Sequence, residues 1–243
     1  MADKARLDNR SYYDEFADWY ENERHDGYHA LIDELQLDLI RDYVIDKDVL
    51  EIGCGTGLLL KEVDGLAKSA NGIDISPGML EKARLRGLDV MEGDATDLPY
   101  EDGSFDVVYS FKVLAHVRDI DKALREAARV TRRGGILILE FYNRYSIRYL
   151  VKRLAGPQKI SGETHEGAVF TRWDSPVDLA RRVPENLEIL DWAGVRVVTP
   201  AARVHQIPGV SSVVRRMEWR ARDSRMLKYF GGFLVLILRK ELG

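Results

Sequence analysis

Between residues 48 and 141, short apolar runs alternate with segments of helical period, and no other feature limits the fold of this chain as much. Val49–Ile52, Ala70–Ile75, Leu88–Glu92, Phe105–Ser110 and Gly135–Phe141 read as strands, with Leu58–Val63, residues 77–86 and Ile120–Val130 as helices among them. Strands separated by helices of this length run parallel, because each right-handed crossover returns the chain to the same end of the sheet. Ser76 is placed to cap the helix that Pro77 opens, since a serine side chain accepts from an early helical N–H and proline needs no donor there. The strand pattern returns at Leu187–Val198 and Gly232–Arg239. The expected fold is therefore α/β, a doubly wound, mostly parallel sheet of seven strands.

The flanks organise around that core. Residues 7–43 repeat apolar positions at helical spacing, as in Tyr13-Phe16-Tyr20 and Leu31-Leu35-Leu39, and read as two helices broken near Gly27. After Phe141 come an amphipathic helix over Tyr145–Leu154, a Gly-rich polar stretch, a short helix opened by Ser175-Pro176, and an irregular segment over 199–225. The expected division is an N-terminal helical segment over 1–45, the first half of the α/β core over 46–141, and insertions with the last two strands of the same core over 142–243.

Composition removes several classes. With 243 residues, 45% hydrophobic and 31% charged, the chain can bury one large core. Its one cysteine, Cys54, excludes an intrachain disulfide and a cysteine-rich zinc site, which fits a reducing, cytoplasmic location. The start Met1-Ala-Asp-Lys-Ala-Arg6 carries no apolar stretch, so no secretory signal is expected. The last apolar run stops at Arg239 after about eight residues, where a membrane span needs roughly 20. Charge is uneven: residues 1–140 carry net −12 and residues 141–243 net +8.

Chemistry concentrates at strand ends. Gly53-Cys-Gly-Thr-Gly57 joins a buried strand to a helix and admits close backbone approach by a ligand. Its G-x-G-x-G spacing differs from the G-x-G-x-x-G of dinucleotide sites. Asp74 ends the second strand about 20 residues later, where a carboxylate can accept both hydroxyls of a ribose. Asp94, after the third strand, could accept the exocyclic amine of an adenine. Glu51 stands one step before the turn, where it would repel phosphate and favour an ammonium. The set describes a pocket for a phosphate-free adenosine with a cationic tail, although each aspartate taken singly also suits a helix cap.

Val49-Leu-Glu-Ile-Gly-Cys-Gly-Thr-Gly57, Gly72-Ile-Asp-Ile-Ser-Pro-Gly-Met-Leu80, Gly93-Asp-Ala-Thr-Asp-Leu-Pro99, Phe105-Asp-Val-Val108 and Arg129-Val-Thr-Arg-Arg-Gly-Gly135 together resemble the class I S-adenosylmethionine-dependent methyltransferases. The nearest branch resembles the ubiquinone and menaquinone C-methylases and related small-molecule enzymes. The likeness implies a Rossmann-like methyltransferase fold, S-adenosylmethionine as cofactor and S-adenosylhomocysteine as product. It implies that Gly53, Cys54, Gly55, Thr56 and Gly57 cradle the methionine portion and that Asp74 holds the ribose. Ile75 and Met79 would sandwich the adenine, Asp94 and the Ala95 amide would read its edge, and Ser110 would border the cofactor. Cys54 also reads as a small buried residue of the turn. Where the family has Lys-Pro-Gly-Gly before the fifth strand, this chain has Arg132-Arg133-Gly134-Gly135.

Residues 12–20 resemble the family's leading helix, a lid over the cofactor, with Tyr13 and Tyr20 as contacts to it or as packing between lid and sheet. His116, after the fourth strand, is the candidate general base for O- or C-methylation, with a hydrogen-bonded structural histidine as the alternative. Tyr142, Asn143 and Arg144 leave the fifth strand toward an acceptor. The basic helix after them suits a membrane surface, an anionic or amphiphilic substrate, or a solvated lid face. The leading expectation is methyl transfer to a small molecule, by a monomer or homodimer. A nucleic-acid methyltransferase, a non-catalytic S-adenosylmethionine-binding protein and an NAD-dependent oxidoreductase are the alternatives. The Ser110-Phe-Lys-Val113 sequence lacks the Asp/Asn-Pro-Pro-aromatic motif used on base amines, which argues against nucleic acid.

Overall fold

Along the central strands successive residues enter opposite hydrophobic layers, as a period of two requires of a sheet covered on both faces. In the computed structural model, Val49, Val107, Tyr109, Ile138, Val235 and Ile237 face one layer. Leu50, Val108, Leu137, Leu139, Leu236 and Leu238 face the other. The structure describes residues 10, 13–14, 27–155, 159–161, 164–165 and 170–242.

The chain order is α1 (Gly27–Val44), β1 (Asp48–Ile52), α2 (Leu58–Asp64), β2 (Ser69–Asp74), α3 (Pro77–Leu85), β3 (Asp89–Glu92), β4 (Phe105–Ser110), a 3₁₀ turn (Leu114–His116), α4 (Ile120–Val130) and β5 (Thr131–Tyr142). There follow α5 (Ile147–Ala155), the small hairpin β6 (Lys159–Ser161) and β7 (Thr164–His165), α6 (Pro176–Arg182), β8 (Leu187–Val195), α7 (Val210–Arg222) and β9 (Phe233–Lys240). The main sheet has seven strands in the order β3-β2-β1-β4-β5-β9-β8. β1 to β5 are parallel, and β9 runs antiparallel to both β5 and β8. The expected α/β sheet is present, with its antiparallel strand inserted between β5 and β8.

Local chemistry sets the helix starts. Ser76 Oγ accepts from the Met79 N–H at 3.2 Å, and Pro77 occupies the first helical turn of α3. Ser175 and Asp178 form a reciprocal capping box ahead of α6. On α4 the buried stripe Ile120, Ala123, Leu124, Ala127 and Ala128 covers the second layer, while α1 and α2 cover the first.

Several expected boundaries move. β5 begins at Thr131 rather than Gly135, because pairing with β4 starts at the Phe105–Thr131 register and resumes at Val107–Ile136 after a register shift around the Gly134 turn. Strand β8 ends at Val195 rather than Val198, where Arg196 takes a left-handed φ of 59° and stops the ladder. The segment read as irregular over 199–225 contains α7, whose apolar spacing is diluted by Arg215, Arg216, Arg220 and Arg222. The expected first helix before Gly27 lies outside the described residues except at Arg10 and Tyr13–Asp14, which are helical. Among the described residues no helix is long and apolar enough to cross a membrane.

Candidate active site

The parallel strands β1, β2 and β4 deliver their carboxyl ends to one edge, and the glycine turn closes over it. Gly53, Gly55 and Gly57 all have positive φ, at 76°, 54° and 78°. The N–H groups of Gly53 and Cys54 both donate to the Ile73 carbonyl, at 2.6 and 3.1 Å, which pins the turn against β2. A Cβ on Gly53 would overlap the Val113 side chain, so the turn and the loop after β4 are in direct contact. An open cleft runs along this turn, walled by Asp33 and Gln36 of α1, by Glu51, and by Phe111 and Lys112.

Glu51 is buried and accepts from the Tyr109 hydroxyl at 3.0 Å, its neighbour in the β1–β4 register. Burial beside that carboxylate pushes the Tyr109 phenol well above its ordinary range and keeps it a donor. Thr56 is buried in the turn and lines the cleft, and its Oγ1 has no hydrogen-bond partner among the described residues. An orphaned hydroxyl, a buried acid and a glycine turn with positive φ along one cleft fit a ligand with both an ammonium and a carboxylate, such as the methionine portion of S-adenosylmethionine. Cys54 is buried, and desolvation together with Glu51 and Asp74 pushes its thiol far up, which leaves it inert. Ser110 is fully buried and donates to the Ile52 carbonyl at 2.8 Å, joining the ends of β1 and β4 beneath the cleft.

Asp74 ties the next loops together. Its carboxylate accepts from Gly55 N–H and Ser76 N–H, both at 2.9 Å. Desolvation holds its pKa above the usual carboxylate range against those bonds. Ile75 is half-buried beside it, and Met79 is buried under the first turn of α3. Asp94 is exposed and accepts from Thr96 N–H at 2.8 Å, with Ala95 half-buried in the same turn. Asp74→Ala should weaken S-adenosylhomocysteine binding by about 1–3 kcal/mol in calorimetry, because a charged acceptor is removed from a part-buried site. Unchanged affinity would separate Asp74 from the cofactor.

The N-terminal segment reaches this edge through Asp14, which was not among the expected site residues. Asp14 accepts from Ser76 Oγ at 2.6 Å and from Gly78 N–H at 3.0 Å, adding its charge to the amino end of α3. Arg10 pairs with Glu92 at 2.7 Å. Tyr13 turns its ring edge-on to His116 at 6.2 Å, and Tyr20 lies outside the described residues.

His116 and Tyr142 form a second centre beside the cleft. His116 is buried, with Nδ1 2.8 Å from the Phe170 carbonyl and Nε2 3.3 Å from the Tyr142 hydroxyl. A carbonyl only accepts, so Nδ1 carries the proton and Nε2 offers its lone pair to the Tyr142 O–H. Burial, with smaller contributions from Arg148 and Lys152, pushes the His116 pKa down to about 4. Asn143 is buried and structural in its contacts: its amide donates to the Tyr229 and Gly231 carbonyls and its oxygen accepts from Tyr145 N–H. Arg144 is exposed and binds Asp178 at 2.6 Å. The basic side chain that meets Tyr142 is instead Arg148, with its guanidinium 4.3 Å from the ring centre.

Sequence reasoning also missed Glu140, an acid inside an otherwise apolar strand. It is 1% exposed and accepts from Gln36 Nε2 at 2.6 Å and Lys112 N–H at 3.0 Å, stitching α1 to the loop after β4. Lys112 adopts a left-handed φ of 64° and its ammonium pairs with Asp33 at 2.9 Å. The signal available in sequence was that lone acid in the run Ile136–Tyr142.

A methyltransferase-domain family model matches residues 50–139, the segment from β1 to β5. An uncharacterized protein of Methanocaldococcus jannaschii is 31% identical over 153 residues, spanning 62% of this chain and 58% of that protein, so less than two thirds of that relative is covered. The demethylmenaquinone methyltransferase of Mycolicibacterium gilvum is 32% identical over 161 residues, spanning 61% of this chain and 69% of that enzyme. Among solved structures, a possible histamine N-methyltransferase from Thermotoga maritima superposes with a TM-score of 0.69 at 22% identity, covering 94% of this chain and 98% of that one, a likeness of fold. On these matches and the five strand-end motifs, the chain belongs to the class I S-adenosylmethionine-dependent methyltransferases, in the branch that resembles the ubiquinone and menaquinone C-methylases.

Proposed function

We propose that the protein transfers a methyl group from S-adenosylmethionine to an oxygen or carbon of a small-molecule acceptor, with Tyr142 and His116 receiving the acceptor's proton. The bound cofactor supplies an activated methyl on a sulfonium, and the rest falls to the residues around it. The Gly53–Gly57 turn, Glu51 and Thr56 hold the amino-acid end, Asp74 the ribose, and Asp94 with the Ala95 amide the adenine. The lid, latched through Asp14, excludes water, and methyl transfer then asks chiefly for alignment.

The observation that carries the acid–base part is the His116 tautomer. With Nδ1–H committed to Phe170, the Nε2 lone pair points to the Tyr142 hydroxyl beside Tyr13 of the lid. A proton leaving the acceptor can pass to Tyr142 as Tyr142 passes its own to Nε2. A base of pKa about 4 is neutral throughout the physiological range and therefore available, though weak.

The test uses methyl-labelled S-adenosylmethionine with a cell extract. Label is expected in a small molecule, and His116→Ala should lower its appearance by on the order of 100-fold while S-adenosylhomocysteine binds as before. Label confined to nucleic acid would overturn the acceptor class, and wild-type turnover by His116→Ala would remove the base.

A further inference from the structure

The guanidinium of Arg148 lies 4.3 Å from the ring centre of Tyr142, 4.6 Å from Phe233 and 5.2 Å from Trp173. The cage is built by register. Tyr142 and Phe233 are cross-strand partners at the end of the β5–β9 ladder, and Trp173 is held alongside by the Asp174 N–H donating to the Tyr142 carbonyl at 2.9 Å. Arg148 Nη1 is sealed from solvent and has no hydrogen-bond partner among the described residues.

The other arginines nearby are engaged, and Lys152 stands at the edge of the cage with its ammonium 5.6 Å from the Trp173 ring centre. Arg144 pairs with Asp178, Arg172 with Asp174, and Arg196 donates to the Thr199 and Pro200 carbonyls. Among the described residues no carboxylate oxygen lies within 4.0 Å of Arg148. A cation held between aromatic faces gains cation–π attraction, but an N–H sealed without an acceptor costs free energy unless something else accepts from it.

We propose that Arg148, half-buried as a whole, is the receptor for a carboxylate on a planar, apolar acceptor bound at the rim of the cage formed by Tyr142, Trp173 and Phe233, near His116. The assignment rests on the methyl-transfer reading above and names its substrate class. A guanidinium meets a carboxylate with two parallel hydrogen bonds, and the apolar aromatic surround suits a singly charged carboxylate on a ring better than a strongly hydrated phosphate dianion. Aromatic walls suit a flat ring. The same anion would offset the positive charge that helps depress His116, so acceptor binding would strengthen the base when it is needed.

The experiment is calorimetric titration of the full chain, with and without saturating S-adenosylhomocysteine, by benzoate, benzamide and inorganic phosphate. Benzoate should bind at least tenfold more tightly than uncharged benzamide and more tightly than phosphate. Arg148→Gln and Arg148→Met should lose at least tenfold in benzoate affinity, with Arg148→Lys between them and wild type, and S-adenosylhomocysteine affinity should stay within twofold. Equal binding of benzoate and benzamide, binding of neither, phosphate at least as tight as benzoate, or benzoate affinity retained in Arg148→Gln would each overturn the proposal. If the variants fail to fold, the wild-type contrast between benzoate and benzamide decides. Failure of S-adenosylhomocysteine to bind would count against the methyl-transfer reading, while the contrast measured without it still decides the role of Arg148.

Discussion

Gly53→Ala should destabilise the protein by about 2–5 kcal/mol and weaken S-adenosylhomocysteine binding by about 100-fold or more. Two costs combine. A non-glycine residue in the left-handed region costs roughly 1–2 kcal/mol, and Gly53 has a φ of 76°. The new Cβ would also overlap the Val113 side chain, and overpacking of this kind costs about 1–3 kcal/mol. Val113 immediately precedes the turn Leu114–His116, so relieving the overlap displaces both the glycine turn and the proposed base. Gly55→Ala is the control: its φ is 54°, but no atom lies within 4 Å of the added Cβ, so only the backbone cost remains. Urea unfolding and calorimetry measure both. A Gly53→Ala protein within 1 kcal/mol of wild type, with unchanged cofactor affinity, would sink the cradle assignment.

Neutral substitutions at Glu140 and His116 should expose two opposing pH dependences of stability, each about 3 kcal/mol. Burial raises the Glu140 pKa from 4.5 to about 7, against the charge of Lys112 and the bond from Gln36. Between those values the folded state holds a proton that the unfolded state has released, so this contribution is complete below pH 4.5 and is lost as pH rises to about 7. His116 runs the other way. Its pKa falls from 6.5 to about 4, so its contribution is complete above pH 6.5 and is lost as pH falls toward 4. Each displacement of about 2.5 units corresponds to about 3 kcal/mol.

The two windows overlap, and in the wild type they largely cancel. Glu140→Gln should therefore lose stability steeply from pH 6.5 down to 4.5, and His116→Gln should lose it from pH 4.5 up to 7. Denaturant midpoints across pH 4–8, taken as differences from wild type, read each slope. A flat difference curve for Glu140→Gln would mean that this carboxylate is ionised in the fold at low pH and is not held protonated.

The glycine-turn side of the candidate site was legible because its signals are short-range. Glu51, the glycine turn and Asp74 sit at strand ends that periodicity locates, and Ser76-Pro77 declares a helix start. The acceptor side was less so. Tyr142, Asn143 and Arg144 leave the same strand, yet the β5–β9 register sends Tyr142 to His116 and Phe233, while Asn143 binds backbone and Arg144 turns to Asp178. Four residues further on, Arg148 lies in the first turn of α5 and reaches the aromatic cage.

By itself the sequence determined the alternating strands and helices, the family, and the residues that line the cofactor turn, since all of these depend on neighbours a few positions apart. Only the tertiary structure decided which distant groups meet: Asp14 with Ser76, Gln36 with Glu140, His116 with Phe170 and Tyr142, and Arg148 with Trp173 and Phe233. The reason is physical. A turn or cap is specified by the torsions and hydrogen bonds of adjacent residues, whereas the partner of a buried side chain is chosen by strand order, register and packing, which belong to the whole chain.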